Sequence, residues 1–104
     1  MSTGKSSRPL VAEELERIAA RFKMLGEPMR LKILQAVCKS PRTVTEIVTA
    51  TGSTQANVSK HLALLAATGI LQREKDGQCV YYGVKDRMAV KMCELVRTQI
   101  AERP

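Results

Sequence analysis

Ser53–Gly69, STQANVSKHLALLAATG, is the stretch on which the rest of the chain turns. Its spacing predicts a helix: Val58, Leu62 and Leu65 recur at steps of four and three and so share one face. The opposite face is assigned Thr54, Gln55, Asn57, Ser59, Lys60 and His61, and no acid occurs between Ser53 and Gly69. A solvated helix face normally mixes both charge signs. This one offers hydrogen-bond donors and acceptors and one lysine, near its start. Those are the groups a helix needs if its first turns lie against base edges and phosphates in a DNA major groove. A polar-faced helix with no ligand has the same composition, so the flanking segments decide between the two.

The chain has 104 residues, enough for one domain, with a core small enough that dimerisation is expected to add buried surface. Seventeen Lys and Arg against ten Asp and Glu give a formal charge of +7. That balance favours a polyanionic partner, DNA first, then RNA or a membrane surface. With Phe22, Tyr81 and Tyr82 as its aromatics and no Trp, the chain lacks the stacking platforms of single-strand binders. No apolar run approaches the roughly 18 residues of a membrane span. The opening MSTGKSSRPL has no apolar core of a secretory signal and reads as a polar tail over residues 1–10, ahead of one domain over residues 11–104. Three cysteines, Cys38, Cys79 and Cys93, are odd in number and widely spaced, which points to a reduced, cytoplasmic setting rather than a disulfide framework.

Leu15, Ile18, Phe22 and Leu25 predict a first helix over 11–25, stopped by Gly26. Glu27-Pro28 opens a second, with Pro28 at the first helical position and a stripe of Leu31, Leu34 and Cys38 flanked by Ile33 and Val37. Thr43-Val44-Thr45-Glu46 is a capping box that starts a third helix over 44–51, with Val44, Ile47 and Val48 inward and Gly52 as its stop. A tight turn then leads to the fourth helix, capped by Ser53 or Thr54. Two short helices joined this way make a helix-turn-helix. Segments 70–75 and 78–84 read as strands around Asp76-Gly77, a strong hairpin signal. That turn pairs Lys75 with Gln78, Glu74 with Cys79, Arg73 with Val80, Gln72 with Tyr81 and Leu71 with Tyr82. It puts Leu71, Val80, Tyr82 and Val84 on the inner face and Cys79 and Tyr81 on the outer. A basic hairpin in this place is a wing, its tip flanked by Arg73 and Lys75. A last helix over 86–103 carries Ala89, Cys93, Val96 and Ile100 in a stripe, with Met92 beside it. The expected fold is mainly α with a small β-hairpin, in the order ααααββα. The first and last helices are expected to form a two-fold dimer that sets two fourth helices on successive major grooves; the same stripes could instead close the monomer core.

Taken together, LGEPMRLKIL at the second helix, QANVSKHLALLAATGIL at the fourth and GQCVYYGV on the wing closely resemble the ArsR/SmtB family of bacterial winged-helix repressors, over about residues 12–102. The resemblance implies a homodimer on an inverted-repeat operator that blocks transcription and lets go when an inducer binds. Inducers in such families are metal ions, arsenic(III) or antimony(III) species, or reactive sulfur or oxygen species. Carried over residue by residue, the implied DNA contacts are Ser53, Thr54, Gln55, Asn57, Ser59, Lys60 and His61 on the helix, and Arg73, Lys75 and Gln78 on the wing. His61 is the chain's one histidine, so a multi-histidine metal site is excluded, and it is read as a DNA contact or a cap.

The sensor departs from the family's patterns. Where arsenite-binding members carry a Cys-Val-Cys pair, this chain has Thr43-Val44-Thr45-Glu46. Where zinc- or cobalt-binding members carry aspartate and histidines, it has Lys85, Met88, Gln99 and Glu102. Members that sense persulfides carry a cysteine in the second helix and another in the last. Cys38 and Cys93 occupy those helices, one turn later and somewhat earlier than that pattern places them. Three readings of the thiols stay open: small apolar packing residues, a redox or persulfide switch through Cys38 and Cys93, or thiolate capture of As(III) or Sb(III) with Cys79. No cofactor and no resident metal are expected. Three functions also stay open: an inducer-controlled operator-binding repressor, a sequence-neutral nucleic-acid binder, and a protein-interaction module that has left DNA. An enzyme is not expected, since one histidine, no paired carboxylates and no phosphate-cradling loop leave no catalytic constellation.

Overall fold

A computed structural model describes residues 8–102. Residues 1–7 of the expected tail and Arg103 of the expected last helix lie outside the described residues. The elements are α1 (Ala12–Leu25), α2 (Pro28–Val37), β1 (Arg42–Thr43), α3 (Val44–Thr51), α4 (Gln55–Ala67), β2 (Leu71–Asp76), β3 (Cys79–Val84) and α5 (Arg87–Glu102).

Local chemistry sets the helix ends. The Glu27 carboxylate accepts from the Arg30 amide at 3.1 Å, which caps α2 ahead of Pro28. The Thr43 hydroxyl accepts from the Glu46 amide at 3.2 Å and the Glu46 carboxylate from the Thr43 amide at 2.9 Å, so the capping box forms. Gly52 ends α3 at φ +72°, a left-handed conformation that a side chain would resist. Thr54, rather than Ser53, caps α4 by accepting from the Asn57 amide at 3.1 Å.

The core gathers where α2, α3, α4 and the sheet meet. Ile33, Val37, Ile47, Val58, Leu62, Leu65, Ile70 and Leu71 are fully buried. Each side chain removed from water in this way contributes about 1.5–3 kcal/mol. Leu31, expected on the buried stripe of α2, is exposed, and Cys38 is half-buried. The buried positions of that helix are Ile33, Leu34 and Val37.

Two features of the sheet differ from expectation. The hairpin pairs Asp76 with Cys79, Lys75 with Val80, Arg73 with Tyr82 and Leu71 with Val84, so the loop is Gly77-Gln78 and not Asp76-Gly77. Gly77 has φ +66° and Gln78 does not have a positive φ, the sign pattern of a type II′ turn. Each residue of β2 thus meets a partner two places further on, and a shift of two preserves the faces. Leu71, Val80, Tyr82 and Val84 therefore still share a side. The second difference is a third strand, β1, antiparallel to β3, with Arg42 opposite Tyr82 and Thr43 opposite Tyr81. Pro41, just before β1, lies under Gly83, where a Cβ would stand 3.1 Å from the proline ring.

Candidate nucleic-acid interface

Helix α4 is amphipathic because its buried stripe repeats at helical spacing: Val58, His61, Leu62 and Leu65 face the core. Thr54, Gln55, Ser59 and Lys60 are exposed on the other side. Ser53 and Asn57 are half-buried and hold each other, the Asn57 side-chain amide donating to the Ser53 hydroxyl at 2.9 Å. The turn before them is tied down by the Thr51 hydroxyl, which donates to the Ile47 carbonyl at 2.8 Å and accepts from the Ser53 amide at 3.4 Å. The α3–α4 turn therefore presents its polar groups from a fixed base.

His61 is the correction. It was expected outward with Lys60, but it is 6% exposed and points inward. Its Nδ1 accepts from Arg30 Nε at 3.2 Å, which requires the imidazole proton to sit on Nε2. Arg30 was missed in the sequence reading. Its signal was its spacing, since positions 30, 33, 34 and 37 repeat as one helical stripe and place a guanidinium on the buried side.

The wing divides its charges by face. Arg73 and Lys75 share a side with Val80 and Tyr82, beyond the point where Leu71 enters the core. Glu74 and Asp76 share the opposite side with Tyr81 and Cys79. The Tyr81 hydroxyl is pushed up from its ordinary pKa, first by Cys79, then by desolvation, with Asp76 and Glu46 adding negative field. One face of the wing is thus suited to a phosphate and the other is not. Arg73, Lys75 and Gln78 are all exposed.

The three cysteines are free and separate into two places. Cys79 is exposed on the wing. Cys38 and Cys93 are half-buried and line one cleft of about 310 Å³ between α2 and α5. Burial pushes the Cys93 thiol above its ordinary pKa, and Glu94 adds to the shift. Arg87 at the head of α5 donates to the Cys38 carbonyl at 2.8 Å and pins the two helices together there. Among the described residues no group of three or more His, Cys, Asp or Glu side chains is placed to hold a metal ion, and no helix is long and apolar enough to cross a membrane.

A helix-turn-helix with a firmly seated second helix and a basic hairpin beside it defines a winged-helix DNA-binding transcriptional regulator. The chain belongs to the ArsR family: residues 27–73 match the family model described as bacterial regulatory protein, arsR family. It is 35% identical over 81 residues to the probable mercury resistance operon repressor of Streptomyces lividans, covering 78% of this chain and 65% of that repressor's length. Its fold matches the crystal structure of the AntR antimony-specific transcriptional repressor at a TM-score of 0.81, with 29% identity over 98% of this chain and 94% of that one. It also matches the homodimeric winged helix-turn-helix domain of Mb0332 from Mycobacterium bovis at 0.77, with 25% identity and 92% of each chain covered. The family and these relatives are regulators of transcription, not enzymes.

Proposed function

We propose that this chain is a homodimeric cytoplasmic repressor that reads an inverted-repeat operator in double-stranded DNA and leaves it when its cysteines meet a reactive sulfur species or an oxidant. The observation that carries the reading is the acid-free outer face of α4, held outward by a fully buried inner face. Ser53, Thr54, Gln55, Asn57, Ser59 and Lys60 supply the base-edge and phosphate contacts, and Arg73, Lys75 and Gln78 those of the wing. His61 leaves this set because it is buried. Pairing is supported by large apolar side chains left in water on both end helices, Phe22 at 57% and Ile100 at 64% exposed among them. The homodimeric state of the Mb0332 domain supports the same pairing. Two-fold symmetry then places two copies of α4 one DNA turn apart.

The cleft shared by Cys38 and Cys93 supports the thiol switch. Cys93, whose pKa is raised, is a thiol at neutral pH and serves as the resolving partner. A peroxide would oxidise Cys38 to a sulfenic acid with release of water, and the Cys93 thiol would then displace a second water to form the disulfide. The relatives named for mercury and antimony favour a second reading, a thiophilic metal ion held by the same two thiolates. Cys79, on the wing, does not line that cleft.

The test is operator binding across salt concentrations, using a duplex selected from random sequence by the purified protein. Wild type should select an inverted repeat, and Lys60→Ala and Arg73→Ala should each lower the slope of log affinity against log salt by about two, one phosphate contact being lost in each subunit of the dimer. Selection of no consensus, or variants with the wild-type slope and affinity, would contradict the reading.

A further inference from the structure

Arg30 links three helices through its hydrogen bonds. It belongs to the first turn of α2. Its Nε donates to His61 Nδ1 on α4 at 3.2 Å, and its Nη1 lies 3.4 Å from the Met24 carbonyl and 3.2 Å from the Met24 sulfur on α1. Met24 is in the last turn of α1, where carbonyls lack partners inside the helix, so the guanidinium also closes that end. Arg30 and Met24 are both half-buried, and His61 is buried. The hydrogen bonds of the Arg30 side chain go to Met24 and His61, and His61 is covalently next to Lys60.

We infer that Arg30 and His61 are positioning residues: through one hydrogen bond they set the rotation and tilt of α4 against α1 and α2, and so the aim of Lys60 and Ser59 at the duplex. This rests on the reading that the outer face of α4 meets DNA. Apolar packing of Val58, Leu62 and Leu65 fixes which side of α4 is buried, but it has no direction along the helix surface. A planar guanidinium fork meeting one ring nitrogen does have direction. The contact also ties α4 to α1, the helix whose Leu15, Ile18 and Phe22 lie open to a partner subunit, so a shift of α1 would be felt at Lys60.

The test compares four full-length variants on the selected operator duplex, with dimer mass and thermal midpoint measured beside affinity. Asparagine can put its side-chain oxygen where His61 Nδ1 stands, so His61→Asn keeps the acceptor; His61→Leu removes it while keeping an apolar side chain in the site. His61→Leu and Arg30→Met should each bind about tenfold more weakly, the scale of losing a hydrogen bond to a charged group, while the salt slope stays at the wild-type value because no phosphate contact is lost. His61→Asn should stay within about threefold of wild type, since its acceptor remains. Should Arg30→Met fail to fold, the His61→Leu and His61→Asn pair decides alone. Wild-type affinity in His61→Leu, or equal losses in His61→Asn and His61→Leu, would overturn the inference. A salt slope lowered by about two in Arg30→Met would overturn it too, because Arg30 would then be a phosphate contact in each subunit. Lys60→Ala is the control: unchanged slope and affinity there would sink the DNA-facing reading itself, and this inference with it.

Discussion

Lys60 and His61 are neighbours in the chain and stand on opposite sides of the helix boundary between water and core. A helix turns about 100° per residue, so His61 sits about 60° from Val58 and about 40° from Leu65, at one edge of the buried arc that Leu62 closes on the other side. Lys60 falls outside that arc and is exposed. The same distinction between chemical type and environment applies to the thiols. Cys79 is exposed, whereas Cys93 is half-buried with its pKa raised, so its thiolate emerges only as pH rises above the ordinary cysteine range. Alkylation by iodoacetamide followed by mass spectrometry should therefore label Cys79 first at neutral pH, with Cys93 gaining rate only at alkaline pH. Faster labelling of Cys93 than of Cys79 at neutral pH would contradict this. The polar-outward assumption led the sequence reading to place His61 on the DNA face, although the i, i+3, i+4, i+7 spacing of residues 58, 61, 62 and 65 was there to be read. Arg30 escaped for the same reason: a charge on the buried stripe needs a partner on another helix, and sequence spacing does not show which one.

At the scale of elements, the helices were legible almost to the residue because their ends are set by local chemistry. The capping box at Thr43–Glu46, Pro28 behind Glu27 and Gly52 after α3 act within a few residues of themselves. The hairpin was legible in kind but not in register, because Asp76-Gly77 and Gly77-Gln78 both place a glycine in the loop. Strand β1 was not legible at all. Two residues carry no periodicity, and their pairing with Tyr81 and Tyr82 depends on contacts between segments about 40 residues apart. Gly77 offers the cleanest perturbation here. No atom lies within 4 Å of a Cβ built on it, so an added methyl group meets no clash and the cost is that of a left-handed backbone. Gly77→Ala should lower stability by about 1 kcal/mol in urea unfolding. An unchanged midpoint would mean that the loop does not hold the positive φ.

Across the whole molecule, Arg21 on α1 forms an ion pair with Asp86, the residue just before α5. Residues of α1, α2 and α5 line an apolar groove of about 550 Å³, among them Phe22, Leu25, Leu31, Met92, Val96 and Ile100. A monomer would leave Phe22, Leu31, Val96 and Ile100 in water, which the proposed pairing avoids. The sequence reading found this surface because both stripes sit on long terminal helices with polar backs. It left the sensing chemistry open, because whether two thiols share a cleft depends on how α2 and α5 pack. Ile100→Asp should shift the dimer to monomer in sedimentation at micromolar concentration and weaken operator binding at least about tenfold, since two half-sites would no longer be linked. A dimer that survives Ile100→Asp with full affinity would place the pairing surface elsewhere.

On the proposed function, the outer face of α4 and the cationic face of the wing meet DNA. Amide chemical-shift mapping of the isotopically labelled protein, titrated with the selected inverted-repeat duplex, tests it most directly. The largest changes should fall at residues 53–60 and 73–78, with Ile33 and Ile47 in the core nearly unmoved. Changes concentrated on α1 and α5, with residues 53–60 unaltered, would contradict it.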